Sequence, residues 1–274
     1  MSDYRYASDA IARLQQEHDR PFFLAVGFVR PHVPWYVPRA WLERHPLGGI
    51  RTPLYRAVDL DDVPEVARRM AFMPPMPTTE YLKEENQWAS MVRAYLASTT
   101  WTDHQVGRVL QALRESRYAG NTIVVLLSDH GYTLGEKGRV AKMSLWERDT
   151  HVPLIVSGPG VPQGVRSSRA VGLIGVYPTL LELAGLPTNV HNEGRSLVPL
   201  LHDPDRPWPH PAMTIFGPRN VSLRTDSVRY THYEDGSEEY YDHRSDPNEW
   251  ENAAPVAGRS PAPAAEIDRL RRFI

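Results

Sequence analysis

The chain has 274 residues, 41% of them hydrophobic and 23% charged, with a formal net charge of −2. That length suffices for one sizeable core, or one core plus a small appended unit, and near-neutral charge gives no electrostatic basis for nucleic acid as the main partner. The chain has no cysteine, which excludes structural disulfides and cysteine-based zinc sites, and no apolar run approaches the roughly 20 residues of a membrane span. The opening residues Met1 to Arg5 are polar and no apolar stretch of a signal peptide follows them.

In chain order, residues 7–17 predict a short amphipathic helix with Ile11 and Leu14 on one face. Residues 21–27, a short apolar run between Pro and Gly, predict a buried strand, and residues 31–86 a long irregular stretch rich in Pro and Trp. From Val92 to Leu113 the apolar residues keep a helical period, stopped at Gly120-Asn121. Residues 122–127 form a continuous β-branched and aliphatic run, the pattern of a central parallel strand, and residues 152–156 form a second. Residues 177–184 predict a helix with Pro178 in its first turn, and residues 199–211 a Pro-dense linker. Short strands then follow at residues 221–225, 228–233 and 238–241, with Asp235-Gly236 as a hairpin turn, before a final helix at 264–273. The pattern is an α/β layer followed by a small α+β unit.

Chemistry concentrates at Ser128-Asp129-His130-Gly131, directly after the apolar run. Ligand sites in open α/β sheets lie beyond the carboxyl ends of strands, and an Asp and a His there offer a hard oxygen and an imidazole nitrogen to a metal. Taken alone, the tetrapeptide fits equally well a capping Asp beside a packed His. Lys142 lies between this corner and the next apolar run, where an ammonium near a divalent cation suits a bridging sulfate or phosphate. Without that context a lone Lys is usually a solvated surface charge.

Residues 128–160, read through Lys142, Glu147, Val152-Pro153-Leu154 and Gly158-Pro159-Gly160, resemble a signature region of the sulfatase family. Its branch with iduronate-2-sulfatase and choline-sulfatase-like enzymes is the nearest in flavour. Pro21 to Leu24 with Arg30-Pro31-His32-Val33-Pro34, Tyr95 to Leu110, Pro178 to Leu181, Gly194 to Leu197, and Tyr240-Tyr241-Asp242 with Asp246-Pro247 resemble further blocks in order. The resemblance implies a partial alkaline-phosphatase-like sandwich, with a mostly parallel sheet flanked by helices. It implies an incomplete core over residues 1–205 and a small α+β subdomain with an antiparallel sheet over 206–274. It further implies Asp129 and His130 as metal ligands, with calcium first and manganese or zinc as alternatives, and Lys142 and His32 as contacts to the sulfate group or leaving oxygen. His32 by itself also reads as a turn histidine between prolines, and His151 is left outside the site as a supporting residue. The implied reaction is sulfuric ester hydrolysis on a sulfate ester small molecule or sulfated glycan.

Enzymes of this family attack with the hydrate of a formylglycine made from Cys or Ser in a Cys/Ser-x-Pro/Ala-x-Arg motif. No Cys is present, and the near matches Ser157-Gly158-Pro159 and Ser245-Asp246-Pro247 lack the Arg. The expectation is therefore a C-terminal portion, inactive alone, whose nucleophile belongs to a missing N-terminal segment or a second chain. Two readings compete: a phosphonate monoester hydrolase or phosphodiesterase of the same superfamily, and a non-catalytic module that keeps the corner for binding sulfate.

Overall fold

The computed structural model describes residues 1–72, 74–254 and 264–274. The helices in chain order are α1 (Ser2–Leu14), α2 (Arg39–Glu43), α3 (Glu65–Ala71), α4 (Thr79–Glu84), α5 (Trp88–Glu115), α6 (Glu147–Thr150), α7 (Val176–Leu183), α8 (Val198–His202) and α9 (Ala264–Arg271). The strands are β1 (Val124–Leu127), β2 (Thr133–Leu134), β3 (Val140–Ala141), β4 (Leu154–Ser157), β5 (Ala212–Phe216), β6 (Asn220–Arg224), β7 (Val228–His232) and β8 (Glu238–Asp242). The chain divides into two compact units, Met1–Pro53 with Thr79–Thr122, and Leu54–Thr78 with Ile123–Ile274.

In the first unit α1 lies along α5. Ala7, Ala10 and Leu14 are buried from α1, one or two turns apart on a single face, and Val92, Ala97 and Trp101 are buried from α5. Asp3, only 1% exposed, is the polar pin of this pairing. Its carboxylate accepts from Val29 N at 2.7 Å and from Trp101 Nε1 at 3.3 Å, so burial leaves neither oxygen without a donor. The apolar run at 21–27 has no regular secondary structure and joins no sheet among the described residues, and Phe23 is 83% exposed. This corrects the buried strand expected there, because an apolar run becomes a strand only when a neighbour takes up its backbone hydrogen bonds. The long stretch at 31–86 is interrupted by three short helices, α2, α3 and α4, and its residue 73 lies outside the described residues.

In the second unit the sheet β5-β6-β7-β8 is an antiparallel meander. Pairing Leu223 with Tyr230, and Tyr230 with Tyr240, puts all three on one face, where they join Ile267 and Leu270 of α9 in a core cluster. The period-2 alternation puts Ser222, Arg229, Thr231, Glu239 and Tyr241 on the other face. That face packs toward α3 and the segment at Leu145-Trp146. The β7–β8 turn needs a positive φ, which Gly236 supplies at 83°.

Strands β1 and β4 form a separate pair, and their register Val124↔Ser157 through Leu127↔Leu154 is antiparallel. The central parallel sheet expected from these runs is thus not formed among the described residues, where every paired strand is antiparallel. None of the eight residues of β1 and β4 is buried; Leu127 is 42% and Ile155 58% exposed. A strand pair so apolar on both faces has the composition of a sheet interior without its cover.

Candidate metal and sulfate site

The end of β1 runs straight into Ser128-Asp129-His130-Gly131, and Gly131 closes the corner. Gly131 N donates to Asp149 O at 2.8 Å, which ties the corner to α6. A Cβ at position 131 would stand 2.0 Å from the Arg148 carbonyl oxygen, so only glycine lets the two backbones approach. Gly131→Ala is expected to separate corner from helix at a cost of about 1–3 kcal/mol or more, measured as a lowered denaturation midpoint. An unchanged midpoint would mean that the backbones part without cost.

Three of the four residues singled out from the sequence come together here. His130 Nε2 lies 3.7 Å from Asp129 Oδ2 and 3.1 Å from Lys142 Nζ. The other ring nitrogen, Nδ1, lies 2.7 Å from Gly131 O, an acceptor, so Nδ1 carries the proton and Nε2 presents its lone pair. The side chain of Asp129 is 86% exposed and that of His130 38%. An oxygen and a nitrogen 3.7 Å apart can both reach one divalent ion at ordinary ligand distances, so this donor pair fits a cation in type and spacing. Two donors fall short of a full shell, and the Lys142 ammonium competes with a cation for the same lone pair.

Lys142 is placed by a buried scaffold. Arg139 donates to the Lys142 carbonyl and lies 3.4 Å from Asp149 Oδ2. Asp149 also accepts from Ser144 N at 2.9 Å and Ser144 Oγ at 2.6 Å. Burial raises the Asp149 carboxyl above its ordinary value, while the Arg139 charge and the Ser144 hydrogen bonds work the other way. Through its carbonyl and its carboxylate Asp149 therefore holds the corner at residues 128–131 and the lysine loop together.

His32 belongs to the first unit. It is exposed, its Nδ1 2.6 Å from Val33 O, in a turn fixed by Trp35 Nε1 on Pro31 O at 2.5 Å and Thr102 Oγ1 on Arg30 O at 2.9 Å.

Sequence reasoning missed a second cluster. Arg229, buried on β7, donates to Glu147 and, at 2.7 Å, to Glu249 Oε1. Glu147 also meets Arg224 at 3.0 Å and His151 at 3.2 Å, and Glu249 meets His243 at 2.9 Å. Glu147, His243 and Glu249 hold ligand atoms close enough for one metal ion. The Arg229 guanidinium already pairs with both carboxylates, however, and supplies the positive charge that a metal would bring. We read the cluster as an ion-pair network.

The network sets an acid limit on stability. Burial opposes ionisation of Glu147, but the His151 hydrogen bond and the Arg229 and Arg224 charges outweigh it and hold the carboxyl well below its ordinary value. Burial likewise opposes ionisation of Glu249, and Arg229 and His243 hold it low. Both contributions are present above the unfolded carboxylate values and are lost as pH falls through the folded ones. The Glu147 hydrogen bond raises His151, so its contribution is present below the unfolded imidazole value and lost as pH rises through the folded one. Melting temperature measured against pH is expected to fall on the acid side, and Glu249→Gln to flatten that fall. An equally steep fall in the variant would contradict the assignment.

The family model described as Sulfatase matches residues 1–186. The chain belongs to the sulfatase family. A "Sulfatase" of Formosa agariphila is 45% identical over 254 residues, covering 93% of this chain and 50% of that protein. The "Choline-sulfatase" of Rhizobium meliloti is 30% identical over 276 residues, covering 97% of this chain and 53% of that protein. This sulfatase-family chain thus spans about half the length of the curated relatives it matches. Among solved structures, a protein in complex with its substrate D-glucosamine-2-N,6-O-disulfate superposes with a TM-score of 0.76 at 20% identity, over 99% of this chain and 68% of that one. The phosphonate monoester hydrolase of Agrobacterium radiobacter superposes with a TM-score of 0.79 at 22% identity, over all of this chain and 59% of that one. At these identities the two superpositions speak for the fold alone: a mixed helix and strand chain with sulfatase-like structural neighbours.

Proposed function

We propose that this chain forms the C-terminal part of a sulfuric ester hydrolase, with residues 1–205 as an incomplete catalytic core and 206–274 as its C-terminal subdomain. The observation that carries the proposal is the convergence of Asp129, His130 and Lys142 on one point at the tip of β1. Asp129 Oδ and His130 Nε2 would hold a divalent cation, calcium first, with manganese or zinc as alternatives. Such a cation supplies charge stabilisation to a sulfuryl oxygen. The Lys142 ammonium, 3.1 Å from His130 Nε2, would pair with an oxyanion held beside it, and its charge would be worth most as the leaving oxygen becomes negative. His32 is the further candidate contact to the sulfate group or leaving oxygen. The formylglycine motif is absent from these 274 residues. We assign it, the remaining metal donors and the strands that would complete an alkaline-phosphatase-like sheet to a segment of the kind the longer relatives carry, or to a second chain. The uncovered apolar strands β1 and β4 support that assignment.

Without the nucleophile, the isolated chain is expected to hydrolyse an aryl sulfate no faster than its Asp129→Ala variant. Turnover above that control would overturn the proposal. A phosphonate monoester hydrolase is the second reading, favoured by the imidazole nitrogen in the donor pair, which suits manganese or zinc better than calcium. Relative turnover of an aryl sulfate and a phosphonate monoester by a chain extended upstream separates the two.

A further inference from the structure

Beside the ion-pair network opens a cleft of about 400 Å³, formed by α6, the β6–β7 hairpin and the segment after β8. Its lining includes Arg148 and His151 from α6 and its C-cap, Arg224 and Ser227 from the hairpin, and Arg244 and Asn248 beyond β8. Two carboxylates also line it, and both are already matched: Glu147 by Arg229, Arg224 and His151, and Asp226 by Arg169 at 2.6 Å. Hydrogen-bond donors are left over. Arg148 meets Glu136 through Nε at 3.3 Å and Arg244 meets Asp242 in a two-pronged pair through Nε and Nη2 at 2.8 and 2.6 Å, so each guanidinium has only its other N–H groups to offer. Among the described residues the Nη atoms of Arg148, Nη1 of Arg244, Nε2 of His151, and the side chains of Ser227 and Asn248 make no hydrogen bond.

A concave surface with surplus guanidinium, imidazole, hydroxyl and amide donors, its carboxylates neutralised, is complementary to an oxyanion on a polar body. Its size exceeds that of a bare ion and falls in the range of small-molecule sites. Its place in the chain also bears on substrate. The Gly131–Asp149 hydrogen bond ties the helix that carries Arg148 to the metal corner. We infer that this cleft is an anionic saccharide subsite, which takes a sulfate or carboxylate group of a sugar other than the one at Lys142. The inference rests on the sulfuric ester hydrolase reading for its substrate class and stands apart from it in geometry.

The test uses the 274-residue chain with ¹⁵N-labelled histidine, titrated with glucose 6-sulfate, glucose and sodium sulfate at constant ionic strength in chloride. The His151 ring signals should shift saturably with glucose 6-sulfate, not with glucose, and with sodium sulfate only at several-fold higher concentration. Arg148→Gln combined with Arg244→Gln, both exposed, should weaken binding at least tenfold, whereas Lys142→Ala should leave it unchanged. Equal affinity for sulfate and the sulfated sugar would overturn the saccharide assignment, and absence of any saturable shift would overturn the subsite. Binding lost on Lys142→Ala but kept in the arginine double variant would place the ligand at the metal corner, overturning the subsite and leaving the proposed function intact.

Discussion

Replacing Arg229 by methionine is expected to cost about 3–5 kcal/mol of stability, read from urea unfolding. The guanidinium sits between Glu147 and Glu249, and also donates to the Leu145 carbonyl at 3.0 Å and to Ser222 Oγ at 2.9 Å. Removing it leaves two carboxylates facing each other in the interior, with His243, His151 and Arg224 as their remaining partners. Most of the loss is therefore the penalty of unpaired buried charge and not the net worth of the pair. Adding Glu147→Gln and Glu249→Gln to the methionine variant is expected to recover part of it, since neutral amides do not repel. A loss below about 1 kcal/mol in the single variant would show the carboxylates to be protonated or solvated, and the ion-pair network would fall with them.

Restoring a nucleophile should have the largest effect on activity. On the proposed reading, a chain extended upstream by a segment that includes a Cys-x-Pro-x-Arg motif is expected to hydrolyse an aryl sulfate about 10⁶-fold faster than the uncatalysed reaction, the low end of enzymatic acceleration. Within that longer chain, Lys142→Ala is expected to lower kcat about 10²–10³-fold, the usual consequence of removing one aimed electrostatic donor. Steady-state kinetics check both. A Lys142→Ala variant with full kcat and a raised KM would make the lysine a ground-state binding residue.

Much of the local structure was legible in the sequence, for reasons that individual residues make plain. The apolar faces of α1 and α5 and the short strands β6, β7 and β8 follow periods that side-chain geometry imposes locally. Direction and partners do not. The runs around Val124–Leu127 and Leu154–Ser157 become strands as their composition requires, but which way they pair is decided by chain connection and by neighbours, so the parallel arrangement expected of them was not readable there. The run at Phe22-Phe23 fails as a strand for the same reason. Strand β5 follows directly on Pro209 and Pro211, at the edge of the run read as linker, and was not picked out as a strand.

The corner at Asp129, His130 and Lys142 spans 14 residues and was legible because the resemblance and the strand-tip position agree. The network of Glu147, Arg229 and Glu249 was not, because its partners lie 82 and 20 residues apart and ion pairs at that range leave no periodic trace. One signal was available: Arg229 stands between Val228 and Tyr230 inside a short strand, and charge in such a place calls for a buried partner.

The most direct test of the central claim is manganese-induced broadening of the histidine ring signals, recorded on the ¹⁵N-histidine-labelled chain as the ion is added. The paramagnetic ion reports even a weak site, and the proposed Asp129–His130 pair and the Glu147–His243–Glu249 group each contain a different histidine. If Asp129 and His130 are the ligands, His130 broadens first, and Asp129→Asn abolishes the effect at the same ion concentration. Broadening that begins at His243 and ignores Asp129→Asn would put the metal between Glu147 and Glu249 and contradict a metal corner at the tip of β1.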